Sequence, residues 1–213
     1  MKASPHILTS VITGDIIQSR KTAKAHWLPL LKKTLSLQGK APHTWEIYRG
    51  DSFQVEVRDP AEAFITALRI KSTIKTIRNL DVRMAIGIGK KTPAARKITE
   101  SDGEAFIHSG EKFETLKKTK VNLAVKTPWP DFDREMNICF RLASIPMDDW
   151  TPSSAELMQI LTHNSKLTQK TLSKKLDVSQ PSISERQHRA HYEEIMELES
   201  FFREKIQKLI SAK

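Results

Sequence analysis

Apolar and polar positions alternate most clearly over residues 43–57. Trp45 and Ile47 alternate with polar neighbours before Gly50-Asp51, and Phe53, Val55 and Val57 do so after it. A period of two broken by a Gly-Asp pair predicts a β-hairpin with a tight turn and Asp51 at its tip. Upstream, the apolar run at residues 7–12 predicts a strand ending at Thr13-Gly14-Asp15. Between the two, Ala25, Leu28, Leu31 and Leu35 recur at spacings of three and four. Residues 21–37 are therefore expected to form an amphipathic helix, started late or bent by Pro29. Past the hairpin, Asp59-Pro60 reads as the cap and first turn of a second helix over residues 60–77. Val82, Met84, Ile86 and Ile88 then alternate in a further strand. The order strand, helix, strand, strand, helix, strand is the split βαβ, ferredoxin-like arrangement. A helix over residues 103–118, a strand over 121–125 and a helix over about 133–143 extend it.

Residues 146–154, with two prolines and small polar residues, read as a boundary. The expectation is an α+β chain: a ferredoxin-like domain over residues 1–147, then an all-α module over 153–213. In the second part helices are predicted over 155–163, 168–176, 180–191 and 192–210. Residues 168–184 resemble a bacterial helix-turn-helix, with Leu172, Leu176, Val178 and Ile183 at the buried positions. By that resemblance Gln180, Ser182, Ser184, Glu185, Gln187 and His188 lie on or near the face that enters a DNA major groove. Lys166, Lys170, Lys174, Lys175, Arg186 and Arg189 would meet phosphates. Asp177 stands where the motif usually has glycine, and Arg186 where it usually has an apolar residue. The alternative is a trihelical protein-interaction module. The last helix carries Ile195, Leu198, Phe202, Ile206 and Leu209 on one stripe, either a face packed on its own domain or a dimer seam.

Charge narrows the partners. Thirty-five basic against 25 acidic residues leave a net +10 in a chain of 213, which suggests polyanionic partners: nucleic acid, nucleotides or an anionic membrane surface. No run approaches the roughly 18 apolar residues of a membrane span, and the N-terminus shows no secretory pattern. Cys139 is the only cysteine, which rules out an intrachain disulfide. A cytoplasmic protein is expected. The seven histidines show no zinc-ligand spacing, and no Ser-His-Asp or reactive-cysteine constellation can be assembled.

Asp15 and Asp51, each at the end of a predicted strand, are the raw material of a divalent-metal site, or else simple turn residues. The blocks Ile12-Thr13-Gly14-Asp15-Ile16-Ile17-Gln18-Ser19-Arg20, Arg49-Gly50-Asp51-Ser52-Phe53, Arg83-Met84-Ala85-Ile86-Gly87-Ile88-Gly89 and Asp102-Gly103-Glu104-Ala105-Phe106 resemble the SatD family. These are small bacterial proteins with an N-terminal sheet domain and a C-terminal helix-turn-helix. The same blocks are distantly similar to the palm of class III nucleotidyl cyclases. That resemblance implies Asp15, Asp51 and the Ile16 carbonyl as ligands of Mg²⁺ or Mn²⁺. It also implies backbone amides of Ile17, Gln18 and Ser19 as phosphate contacts, and Arg20 and Arg49 are further candidates. Cyclases carry an asparagine and an arginine four residues apart on the helix that follows the Gly-Glu-Ala-like block. Here Ile107 and Glu111 occupy those positions; a shift of one residue would offer His108 and Lys112 as phosphate ligands instead. The reading is a dimeric transcriptional regulator that binds DNA, principally through Lys170, Gln180, Ser182, Ser184, Gln187 and Arg189. Its palm-like domain would bind a nucleotide or phosphorylated ligand with Mg²⁺. The alternatives are a divergent cyclase or oligonucleotide synthase using two-metal catalysis, and a scaffold with a relict site; no catalytic residue can be named.

Overall fold

Residues 8–91 and 95–212 are described by the structure, a computed structural model; Ile7, expected to open the first strand, lies outside them. Strands β1 (Leu8–Ile17), β2 (Trp45–Tyr48), β3 (Ser52–Val57), β4 (Asp81–Lys90) and β5 (Leu123–Lys126) form one mixed sheet in the order β2-β3-β1-β4-β5. β1 lies at its centre, antiparallel to β3 and β4, while β5 joins β4 in parallel. The helices among the described residues are α1 (Lys24–Leu35), α2 (Ala63–Lys75), α3 (Glu104–Thr119), α4 (Pro130–Asp148), α5 (Pro152–His163), α6 (Gln169–Leu176), α7 (Gln180–Arg189) and α8 (Tyr192–Ser211). The fold is α+β.

The two faces of the sheet differ in chemistry. Ile12 and Ile16 of β1, Phe53 and Val55 of β3, and Met84 and Ile86 of β4 share an apolar core with α1, α2 and α4. The opposite face carries Thr9, Val11, Thr13 and Asp15 at alternating positions along β1. α3 covers it: Thr13 Oγ1 donates to Ser109 Oγ at 3.0 Å, and Val11 packs with Ala105 and Phe106. Gly87 permits this docking, because a Cβ there would lie 2.2 Å from the Ala105 carbonyl and 2.3 Å from the Ser109 nitrogen.

Three segments differ from expectation. β1 does not stop at Ile12 but continues through Thr13-Gly14-Asp15 to Ile17. Its neighbours pair with it on both sides, Gly14 opposite Phe53 and Met84 and Asp15 opposite Ser52 and Arg83. Ladder bonds carry a strand through polar residues that periodicity alone reads as its end. Asp15 is thus a strand residue rather than a turn residue. α4 runs 19 residues instead of about eleven. Pro130 sits in its first turn, where a missing amide costs nothing, and Pro146 is accommodated in the last turn. The expected boundary at 146–154 shrinks to Asp149-Trp150-Thr151. Thr151 caps α5 by accepting from the Ser154 amide at 3.2 Å.

The helical C-terminal part is built onto the sheet's helical layer. Phe202 of α8 lies among Phe64, Phe132 and Phe140, with ring centroids 5.7–6.0 Å away. Ile195, Phe202 and Ile206 are buried in the same core as the sheet. The stripe on α8 is therefore used inside the chain, which corrects the dimer-seam reading of that helix. Arg69 Nε donates to the Thr162 carbonyl at 3.0 Å, and Trp150 Nε1 to the Ala190 carbonyl at 2.9 Å.

Candidate functional site

The lower end of the sheet, where β1 ends, β3 begins and β4 begins, brings together Asp15, Asp51 and Arg83. Arg49 and Gly50, at φ 49° and 94°, turn the hairpin between β2 and β3. Gly50 suits this left-handed position because it has no Cβ. Asp51 follows, and its carbonyl accepts the Ile16 amide at 3.1 Å, which stitches the hairpin loop to β1 one residue past Asp15. In an extended strand the amide and carbonyl of one residue point to the same side. The Ile16 carbonyl therefore faces the hairpin as well. The Asp51 carboxylate accepts from Ser19 Oγ at 2.5 Å. Ser19 is buried in the 3-10 turn Ser19–Lys21 that follows β1.

Asp15 faces the α3 side, with its side chain 23% exposed and that of Arg83 20% exposed. Their closest approach is 3.7 Å, from Arg83 Nη1 to Asp15 Oδ2, longer than a hydrogen bond. Among the described residues Asp15 Oδ1 and Arg83 Nε are buried without any hydrogen-bond partner. Burial raises the Asp15 carboxyl above its ordinary pKa, Arg83 and Lys117 oppose that shift, and Asp51 and Glu114 add to it. Tyr48 is held above its ordinary value by burial too, with Arg49 opposing. The arrangement is a half-buried carboxylate and guanidinium that do not satisfy one another, bordered by a second carboxylate, Asp51.

This donor set fits a hard divalent cation that takes few protein ligands. Asp51 is near enough to Asp15 to help raise its carboxyl above the ordinary value, the Ile16 carbonyl faces the hairpin, and Asp15 Oδ1 has no partner. Mg²⁺ characteristically accepts one or two carboxylates and fills its octahedron with water and phosphate. No group of three or more His, Cys, Asp or Glu side chains arranged to hold a metal occurs among the described residues. A cation at Asp15 would accordingly draw most of its shell from a ligand.

The remaining expected phosphate contacts scatter. Ile17 ends β1 opposite Asp81. Gln18 adopts a left-handed φ of 62° and lines a cleft of about 470 Å³ with Arg78, Asn122 and Asp149. Ser19 spends its hydroxyl on Asp51, which makes it an orienting group for that carboxylate. Arg20 and Arg49 are exposed near the loop. His108 and Lys112 are not at the site. His108 Nδ1 pairs with the Ile88 carbonyl at 2.7 Å, and Ile88 lies opposite Ser10, about 17 Å along β1 from Asp15. Lys112 faces Asn137 and Arg141 on the α4 side. The adjusted alignment that chose them is corrected by the docking of α3, which brings Glu114 and Lys117 toward Asp15 instead. Of the positions that hold the asparagine and arginine in cyclases, Ile107 is exposed and Glu111 pairs with Lys126. Arg83, Lys117, Glu114 and Tyr48 were not singled out from sequence. Arg83 is the third residue of β4, and its position beside Asp15 follows only from the strand register.

The second candidate site is the pair α6–α7. Thr168 and Ser179 cap the two helices, accepting from the Thr171 and Ser182 amides at 3.2 and 3.3 Å. Asp177 takes the left-handed conformation, φ 50° and ψ 50°, that glycine usually supplies in this turn. Leu172 and Ile183 are fully buried with Leu157 and Leu161, and Leu176 and Val178 pack at the edge. Arg186 reaches back to Glu156 of α5 at 3.8 Å, so it braces the module where an apolar residue was expected. Lys170, Gln180, Ser184, His188 and Arg189 are exposed, whereas Ser182 and Gln187 are half-buried. Gln187 Oε1 accepts from Gln169 Nε2 at 3.0 Å, joining α7 to α6.

Among the described residues no helix is long and apolar enough to cross a membrane. Comparison with protein-family models and with curated proteins finds no match for the chain.

Proposed function

We propose that this protein is a DNA-binding transcriptional regulator whose sheet domain binds a nucleotide or related phosphorylated ligand together with Mg²⁺. The observation that carries the reading is the α6–α7 pair. Its capped turn and buried Leu172 and Ile183 support a helix-turn-helix, and the outer face of α7 is left open with Gln180, Ser184, His188 and Arg189. The SatD resemblance agrees with it, and the strand order β2-β3-β1-β4 supports reading the first part as a ferredoxin-like palm extended by β5. The ligand half of the proposal rests on Asp15 and Asp51, at the end of the sheet where β1 ends and β3 begins.

Fluorescence anisotropy on genomic fragments tests it. A specific site should bind with an affinity that falls steeply with salt, and Lys170→Ala or Arg189→Ala should each lower the salt slope by about one. Uniform binding to every fragment, unchanged by either substitution, would contradict it. A homodimer on paired half-sites is part of the reading. Because the α8 stripe is used inside the chain, the exposed row Ile138, Leu142 and Ile145 on α4 is offered as the contact face. Sedimentation of Leu142→Glu should then give a monomer.

A second reading, a nucleotidyl cyclase or oligonucleotide synthase, is supported by Asp15 and Asp51 lying at the same end of the sheet, near enough for Asp51 to raise the Asp15 carboxyl. Against it, neither Ile107 nor Glu111 can stabilise a transition state. Product formed from nucleoside triphosphates with Mn²⁺, and lost in Asp51→Asn, would favour this reading.

A further inference from the structure

The cyclase resemblance gives Arg83 no role, yet it forms an ion pair with Asp15 and lies directly opposite it in the β1–β4 register. The two side chains are half-buried, 3.7 Å apart, and each keeps one buried atom unpartnered, Oδ1 on the acid and Nε on the base. A buried pair normally closes to hydrogen-bond distance, since unpaired charge in a low dielectric is costly. The chain shows that it can do so nearby. Two residues along β4, Asp81 accepts from Lys71 at 2.8 Å.

Resting on the reading of Asp15 and Asp51 as metal ligands, we propose that Arg83 makes the site selective for a metal–polyphosphate complex over either component alone. A bare divalent cation would satisfy Asp15 Oδ1, but it would sit against the Arg83 guanidinium and meet like charge. A bare phosphate would satisfy Arg83 Nε, but it would face the Asp15 and Asp51 carboxylates. Only a ligand bringing a cation to Asp15 and an anionic oxygen to Arg83 completes both groups. Lys117 and Arg49 add positive charge on the α3 and hairpin sides, as their opposing influence on Asp15 and Tyr48 shows. The ligand class is a di- or triphosphate ester, or inorganic polyphosphate, carrying Mg²⁺. Arg83 is here a specificity-determining residue with no assigned role in chemistry.

The experiment measures Mn²⁺ binding to the full-length protein by electron paramagnetic resonance, with and without inorganic tripolyphosphate. Wild type should bind free Mn²⁺ weakly and Mn²⁺–tripolyphosphate much more tightly. In Arg83→Met, affinity for free Mn²⁺ should rise by about tenfold while affinity for the complex falls by about tenfold, so that the preference collapses. Arg83→Lys, which keeps the charge, should restore most of it. If Arg83→Met is folded by its melting curve and both affinities stay within about twofold of wild type, the inference is overturned. Asp15→Asn separates this failure from failure of the metal reading. Should Asp15→Asn bind Mn²⁺–tripolyphosphate like wild type, Asp15 is not a metal ligand and both fall. Should it lose binding while Arg83→Met does not, only the role of Arg83 falls.

Discussion

Two charge clusters stand two residues apart along β4, at Asp81 and at Arg83, and they are built on opposite principles. On the α2 side, Lys71 Nζ donates to Asp81 at 2.8 Å and to Asp148 at 2.6 Å, and Lys75 reaches Asp81 at 3.3 Å. The Val82 amide and the Asn122 side chain take further lone pairs of the two carboxylates at 2.7 and 2.8 Å. On the α3 side, Asp15 and Arg83 stand 3.7 Å apart with an orphaned atom each. The first cluster is closed and joins α2, β4 and the end of α4. The second is open and offers a carboxylate and a guanidinium to something else. That one cluster is completed and its neighbour left incomplete is the contrast on which the proposed ligand site rests.

Breaking the closed cluster should produce the largest effect. Lys71 is 3% exposed, and Lys71→Ala leaves the Asp148 carboxylate without its cation and Asp81 with only the longer contact to Lys75. The expected loss is about 3 kcal/mol of stability in denaturant unfolding, whether or not Mg²⁺ and nucleotide are present. Breaking the open cluster should do the reverse. Burial holds the Asp15 carboxyl above its ordinary pKa of 3.8, so the native state favours the protonated form and is weakened as pH rises through the shifted value. Asp15→Asn should therefore melt higher than wild type at pH 7, and this advantage should vanish as pH falls below the ordinary carboxylate value. Melting curves across pH check the sign. An Asp15→Asn protein less stable than wild type at neutral pH would show that the carboxylate is a structural group like Asp81. The smallest effect is expected at Asp51→Asn, which keeps the hairpin and loses one charge-assisted bond from Ser19, costing about 1 kcal/mol.

The contrast between the clusters also explains what could be read from sequence. Asp51 was legible as a hairpin residue because alternation and a turn pair announce a hairpin, and the helix pair α6–α7 because apolar positions recur there at helical spacing behind the capping residues Thr168 and Ser179. Asp15 was legible as a candidate, but its setting was not. Thr13, Gly14 and Asp15 interrupt the apolar run, and only pairing on both sides carries β1 through them. Arg83 could not be placed beside Asp15 without the β1–β4 register, since a slip of one residue would turn it to the opposite face. Glu114 and Lys117 depend on a docking of α3 that Gly87 permits but does not announce. The same docking explains why His108 and Lys112, neighbours on a helical wheel, end far from the metal candidates. The length of α4 was hidden by Pro130 and Pro146, which read as breakers although both sit in terminal turns. The single core shared by α8 with Phe64 and Phe140 follows from tertiary packing that a helical stripe cannot distinguish from a dimer seam.

The central claim is that the open cluster is a metal–phosphate site. The most direct measurement compares the melting temperature of wild type and Asp15→Asn with and without Mg²⁺ and tripolyphosphate added together. Wild type should start lower and rise on addition, as binding to the native state requires, whereas Asp15→Asn should start higher and stay where it is. Equal shifts in the two proteins, or no shift in wild type, would contradict the claim.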